Sequence, residues 1–162
     1  MLTPPRSLLL VLPWLMAMTA APPCHAQARG GKVYPTLGRI DRKDARLDKL
    51  IPKDAKIELL ASGFDWSEGP VWLGDTRALI WSDVPGDCMY RWDEVTGQTH
   101  AFRKPSNNAN GNSRDRQGRI VTCEHLTRRV TRTEHDGRIT VLADQFEGRR
   151  LNSPNDIVVK SD

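Results

Sequence analysis

Glu68, Asn110 and Asn155 bring side-chain oxygen to the chain at near-regular intervals, 42 and then 45 positions apart. They stand in Ser67-Glu-Gly-Pro70, Ala109-Asn-Gly-Asn112 and Ser153-Pro-Asn-Asp156. One carboxylate and two amide carbonyls form a donor set for a hard divalent cation rather than a thiolate-loving one. Ca2+ comes first, with Mg2+, Mn2+ and Zn2+ as alternatives. A single cation of this kind polarises a carbonyl and acidifies a bound water. A carboxylate then accepts the proton of the attacking water, and Glu68 is more useful ionised on the metal than in that role. The competing reading is that Asn and Gly at these places are turn residues bonded to their own backbone; Asn107, Asn108 and Asn112 are open to it. Asn110 and Asn112 are the candidates for substrate contact. His125 stands beside Glu124 at a strand end, and it is expected to be a structural or surface histidine ahead of a base.

Other catalytic constellations are missing from the sequence. Gly111-Asn-Ser-Arg-Asp115 lacks the final glycine of a nucleophile elbow. Cys123-Glu-His125 offers one histidine where a zinc-protease helix needs two. There is no glycine-rich phosphate loop.

Positioning three such residues together requires a repeated element. Outside the first residues, no stretch sustains helical apolar periodicity; a short helical turn over 45–50, ended by Pro52, is the exception. From residue 56 onward the texture is β. Strands are expected at 56–61, 71–72, 78–81, 89–92 and 99–102, then at 119–123, 129–133 and 139–142, with 156–159 opening the pattern again. His135-Asp-Gly137 is a strong hairpin turn, because Asp-Gly supplies the positive φ that tight loops need. Ile80-Trp-Ser-Asp83 falls on Val121-Thr-Cys-Glu124 at an offset of 41, and Met89-Tyr-Arg-Trp92 falls on Val130-Thr-Arg-Thr133 at the same offset. A period in the low forties with about four strands per copy is the pattern of a propeller blade; an ordinary β-sandwich competes with it. In a propeller, the first residues of the innermost strands converge near the mouth of the central channel, so ligands recur at the blade period.

The ordered landmarks Ser67-Glu-Gly-Pro-Val-Trp72, Trp81-Ser-Asp83, Ala109-Asn-Gly-Asn112, Cys123-Glu-His125 and Leu151-Asn-Ser-Pro-Asn-Asp156 resemble those of bacterial members of the SMP-30/gluconolactonase/regucalcin-like family. The similarity runs from about Tyr34 to the end of the chain. It implies an all-β, six-bladed β-propeller with one catalytic divalent metal in its channel. It also implies hydrolysis of a small sugar lactone, of the gluconolactone type, to the aldonic acid. On that resemblance Glu68 is the glutamate ligand of the first blade and Asn155 the asparagine ligand of the Asn-Asp motif. The remaining asparagine, and an aspartate that doubles as general base, belong to later blades and fall beyond Asp162. Some members carry a substrate-holding arginine two residues before the Asn-Asp motif; here that place is Ser153. The alternative is an exported propeller that binds a ligand or protein without turnover, because the fold alone does not decide function.

Six blades of about 42 residues need roughly 250. About two and a third blades are expected here, over residues 56–162, with 27–55 as linker and N-terminal extension. The sequence thus reads as a fragment, with weak metal binding and no useful activity by itself. Residues 1–26 read as a signal peptide: Arg6 precedes the apolar run from Leu8 to Ala21, and Cys24-His-Ala26 is a loose cleavage site. The expected address is periplasmic or secreted, with no membrane attachment after cleavage. Loss of Arg6 lowers the net charge from +4 to +3. Its basic residues are mixed with acids rather than massed in a stripe, which argues against nucleic acid. A monomer or small homo-oligomer is expected. Cys88 and Cys123 match no zinc or redox spacing; they are either a disulfide or two buried thiols.

Overall fold

The structure is a computed structural model and describes residues 32–161. The signal-peptide reading of 1–26 lies outside the described residues. Eight strands form two four-stranded antiparallel sheets, each a meander in chain order. The first holds β1 (Ser67–Leu73), β2 (Ala78–Asp83), β3 (Cys88–Asp93) and β4 (Thr99–Arg103). The second holds β5 (Ala109–Arg114), β6 (Ile120–Glu124), β7 (Arg129–Thr133) and β8 (Ile139–Ala143). The helical turn is a 3-10 turn over Ala45–Lys49, capped by the Asp44 carboxylate, which accepts from Arg46 N.

Alternation along the strands explains how the sheets meet. Leu73, Ala78, Ile80 and Met89 from the first sheet share a buried core with Ala109 and Ile120 of the second. Leu79, Trp81 and Tyr90 point the other way, where Phe64 sits edge-on to Trp81 at 5.1 Å and tilted against Tyr90 at 4.7 Å. Period 2 thus loads both faces of each sheet, as stacked layers require. Two consecutive meanders packed face to face, with β1 against β5, are blade-like; the crossed connections of a Greek-key sandwich are absent among the described residues.

The two blades repeat the same bonds. Val84 N donates to Trp66 O at 3.1 Å in the first, and His125 N donates to Asn108 O at 3.2 Å in the second. Asp87 N to Val84 O and Arg128 N to His125 O, both 3.3 Å, close the same turn before β3 and β7. Arg77, just before β2, pairs with Glu94 just after β3 at 3.0 Å; Arg119 and Glu134 do the same at 3.2 Å in the second blade. Arg132 and Thr140 hold the Glu134 carboxyl down to about 2.

Two expected strands are corrected. Residues 56–61 make only a bridge, Thr36 with Glu58, flanked by Leu37 N to Ile57 O and Leu59 N to Pro35 O. Pro35 has no N–H, so a longer ladder on that side is interrupted. Residues 156–159 form no strand. Instead Leu151, Ile157 and Val159 pack on Val121, Cys123 and Val130, covering the outer face of the second sheet. An inner strand packs on the neighbouring blade, and its ladder partner is the next strand of its own blade. A further small hairpin, β9 (Gln145–Phe146) with β10 (Arg149–Arg150), turns through Glu147 and Gly148 at positive φ. It lies in the connection where the spacing lengthens from 42 to 45.

Cys88 and Cys123 are buried and unpaired. Burial pushes the Cys123 thiol up to about 11. Among the described residues no helix is long and apolar enough to cross a membrane.

Candidate active site at the inner-strand starts

Both inner strands are bulged at their starts. Pairing of β1 with β2 shifts between Glu68 and Val71, and pairing of β5 with β6 shifts between Ala109 and Asn112. A bulge bends the strand and re-aims the side chains beside it. The glycine of each bulge then lets the next start come close. A Cβ on Gly69 would lie 2.5 Å from Asn110 O, and one on Gly111 would lie 2.6 Å from Asn155 O. Gly111 N donates to that Asn155 oxygen at 2.8 Å. The residue after Glu68 therefore touches Asn110, and the residue after Asn110 touches Asn155. Glu68, Asn110 and Asn155 occupy equivalent places in three successive starts, side by side.

The three side chains differ in surroundings. Glu68 is half-buried, and its Oε1 accepts from Trp66 Nε1 at 2.8 Å. Asn155 is exposed, and Ser153 beside it is exposed with φ 42°. Asn110 is 2% exposed, and its Nδ2 lies 3.1 Å from His125 Nε2. Among the described residues no protein donor reaches Asn110 Oδ1. No group of three His, Cys, Asp or Glu side chains is gathered among the described residues. The candidate donors are thus carboxylate and amide oxygens alone, and these fit part of the oxygen shell of a hard cation.

Asn112 is used differently. Its Nδ2 donates to Ser82 Oγ at 2.8 Å and to Gly69 O and Asn110 O at 3.0 Å each. Thr122 Oγ1 donates to its Oδ1 at 2.8 Å, and Ser82 Oγ donates to Asn110 O at 2.8 Å. The amide rivets both bulges together and has no donor left for a ligand. Asn107 and Asn108 are turn residues with φ 60° and 50°. Asn108 Nδ2 donates to Val84 O at 2.8 Å.

A buried acid closes the second strand of each blade. Asp83 accepts from the backbone of Trp66 at 3.0 Å, just ahead of Glu68. Glu124, fully buried, accepts from Arg129 Nε at 2.7 Å, Thr131 Oγ1 at 2.9 Å and Asn107 Nδ2 at 3.2 Å, and also from Arg103 and Thr127. Burial raises its pKa, but the bonds from Thr127, Arg103, Arg129 and Thr131 outweigh that and hold the carboxyl below its ordinary value. Sequence reasoning passed over this hub; two acids at an offset of 41, each ending an apolar strand, were its signal.

Successive four-stranded meanders whose inner-strand starts line up define a propeller-type fold with its candidate site at the channel end. Residues 66–162 match the SMP-30/gluconolactonase/LRE-like region, and the chain belongs to that family. The gluconolactonase of Zymomonas mobilis subsp. mobilis is 32% identical over 160 residues, covering 88% of this chain and 45% of the relative. A solved gluconolactonase from Xanthomonas campestris is 35% identical with TM-score 0.67, over 83% of this chain and 43% of its own. A structural-genomics target grouped with the gluconolactonases is 39% identical with TM-score 0.66, over 73% and 41%. The chain thus spans less than half the length of these relatives.

Proposed function

We propose that this chain contributes the first blades of a metal-dependent hydrolase that opens a sugar lactone, of the gluconolactone type, to its aldonic acid. The observation that carries the reading is the row of Glu68, Asn110 and Asn155 along three adjoining inner-strand starts. Family membership, and the gluconolactonases among its relatives, favour the substrate class.

Glu68 and Asn155 would hold the cation, Ca2+ before other divalent ions, and when bound it supplies Lewis-acid polarisation of the lactone carbonyl. Trp66 fixes the Glu68 carboxylate through Oε1 and leaves Oε2 for that role. Asn110 offers an oxygen acceptor to a substrate hydroxyl, and Asn112 keeps both bulges in place. Two oxygen side chains fall short of the six to eight that Ca2+ takes, so the described residues by themselves make a weak site. The same reading places the mature protein in the periplasm or outside the cell, by export through residues 1–26. N-terminal sequencing of the mature chain checks that.

The test is a chimaera in which residues 66–162 replace the matching stretch of the Zymomonas mobilis gluconolactonase. It is expected to hydrolyse glucono-1,5-lactone in a Ca2+-dependent manner. Glu68→Gln within it should lower kcat/KM by about a hundredfold or more, the scale of removing a group that stabilises the transition state. A folded chimaera without activity, or one indifferent to Glu68→Gln, sinks the reading.

A further inference from the structure

Comparison of the two blades isolates one side chain that the fold does not ask for. The repeated turn bonds put Val84 and His125 at the same place: each donates its N–H to the strand entry, and each accepts from the residue three positions on. In the first blade an apolar residue, 6% exposed, does that work. In the second the place holds an imidazole, and its Nε2 meets Asn110 Nδ2 at 3.1 Å. Asn110 is itself the counterpart of Glu68. An amide N–H2 can only donate, so Nε2 accepts and the imidazole proton resides on Nδ1. In this orientation the Asn110 NH2 is tied to His125, and Oδ1 is left as an acceptor without a protein donor among the described residues. Asn110 O is held meanwhile by Ser82 Oγ and Asn112 Nδ2, so the backbone beneath the amide is pinned.

We propose that His125 is a positioning residue that orients the Asn110 amide so that Oδ1 accepts a hydroxyl of the sugar lactone or aldonate. The inference rests on the lactone-hydrolase reading above. It reverses the sequence-based expectation of a merely structural or surface histidine. His125 touches neither metal nor reacting carbonyl; it acts through Asn110. Without the imidazole acceptor, the amide is free to turn over and present NH2 where a hydroxyl proton needs an oxygen.

Calorimetric titration of the full 162-residue chain with D-gluconate, and separately with Ca2+ alone, tests this, in parallel with His125→Ala and His125→Gln. In the chain as it stands, weak binding of gluconate and of Ca2+ is expected. His125→Ala is expected to weaken gluconate about tenfold, the scale of one oriented hydrogen bond, with Ca2+ affinity and melting temperature unchanged. His125→Gln, whose amide oxygen can accept from Asn110, should restore most of the loss. Equal gluconate affinity in the His125→Ala and parent chains overturns the positioning role alone. A parallel fall in gluconate, Ca2+ and melting temperature overturns it too, since that marks a structural residue. A parent chain that takes up Ca2+ but no gluconate overturns the Asn110 contact and the role of the pair with it, while the lactone reading stands or falls with the chimaera.

Discussion

At the scale of residues, carboxylates of similar sequence appearance do opposite work. Glu68 sits half-buried with one donor on it, whereas Glu124 is enclosed by two arginines, two threonines and an asparagine. Nothing in Ser-Glu-Gly-Pro against Thr-Cys-Glu-His announces that difference; it follows from which side chains distant in sequence arrive. Removing the Glu124 charge leaves Arg103, 11% exposed, facing a neutral group. Glu124→Gln should therefore cost about 3 kcal/mol, as for breaking one side of a buried pair, read as a lower midpoint in urea. Because the folded carboxyl titrates below its unfolded value, its contribution is complete above about pH 4.3. It is lost as pH falls through the folded value. The parent chain should lose more stability than Glu124→Gln as the pH falls below about 4.3. Equal acid sensitivity in the two chains contradicts the assignment.

At the scale of elements, the strand start is the unit that matters, and glycine makes it. Gly111 has room for no side chain: a Cβ would meet Asp156 Oδ1 at 2.5 Å and Asn155 O at 2.6 Å, the latter a backbone atom that cannot swing aside. Gly111→Ala should push the third start away from the second and break the Gly111 N to Asn155 O bond. The expected cost is about 1–3 kcal/mol, as for overpacking elsewhere. The amide of Gly111 should lose its hydrogen-exchange protection while those of β6 and β7 keep theirs. Protection unchanged at residue 111 contradicts the packing described. The hairpins were the most legible elements, because Asp-Gly and Thr-Gly turns encode their own geometry. The strands at 56–61 and 156–159 were misjudged for one reason. Alternating apolar residues report a buried face, and among the described residues neither stretch joins a sheet ladder.

At the scale of the molecule, stability is uneven by construction. The central strands β2, β3, β6 and β7 have hydrogen-bonded neighbours on both sides and carry Ile80, Met89 and Thr131, all fully buried. Among the described residues, 155–159 are tied to β5 by two hydrogen bonds, from Gly111 N to Asn155 O and from Val159 N to the Ser113 hydroxyl. Native-state hydrogen exchange should therefore show the central strands opening only with global unfolding and residues 156–159 exchanging by local fraying. Co-operative protection of both sets contradicts this picture. The blade period, the strand pairs within each blade and the equivalence of Glu68, Asn110 and Asn155 could all be read along the chain, because they depend on local periodicity and fixed offsets. Asn112, Glu124 and His125 could not be sorted into rivet, hub and orienting group from their neighbours in sequence. Their roles are set by bonds to residues such as Gly69, Arg103 and Asn110, and only the packing of one blade on the next brings those partners within reach.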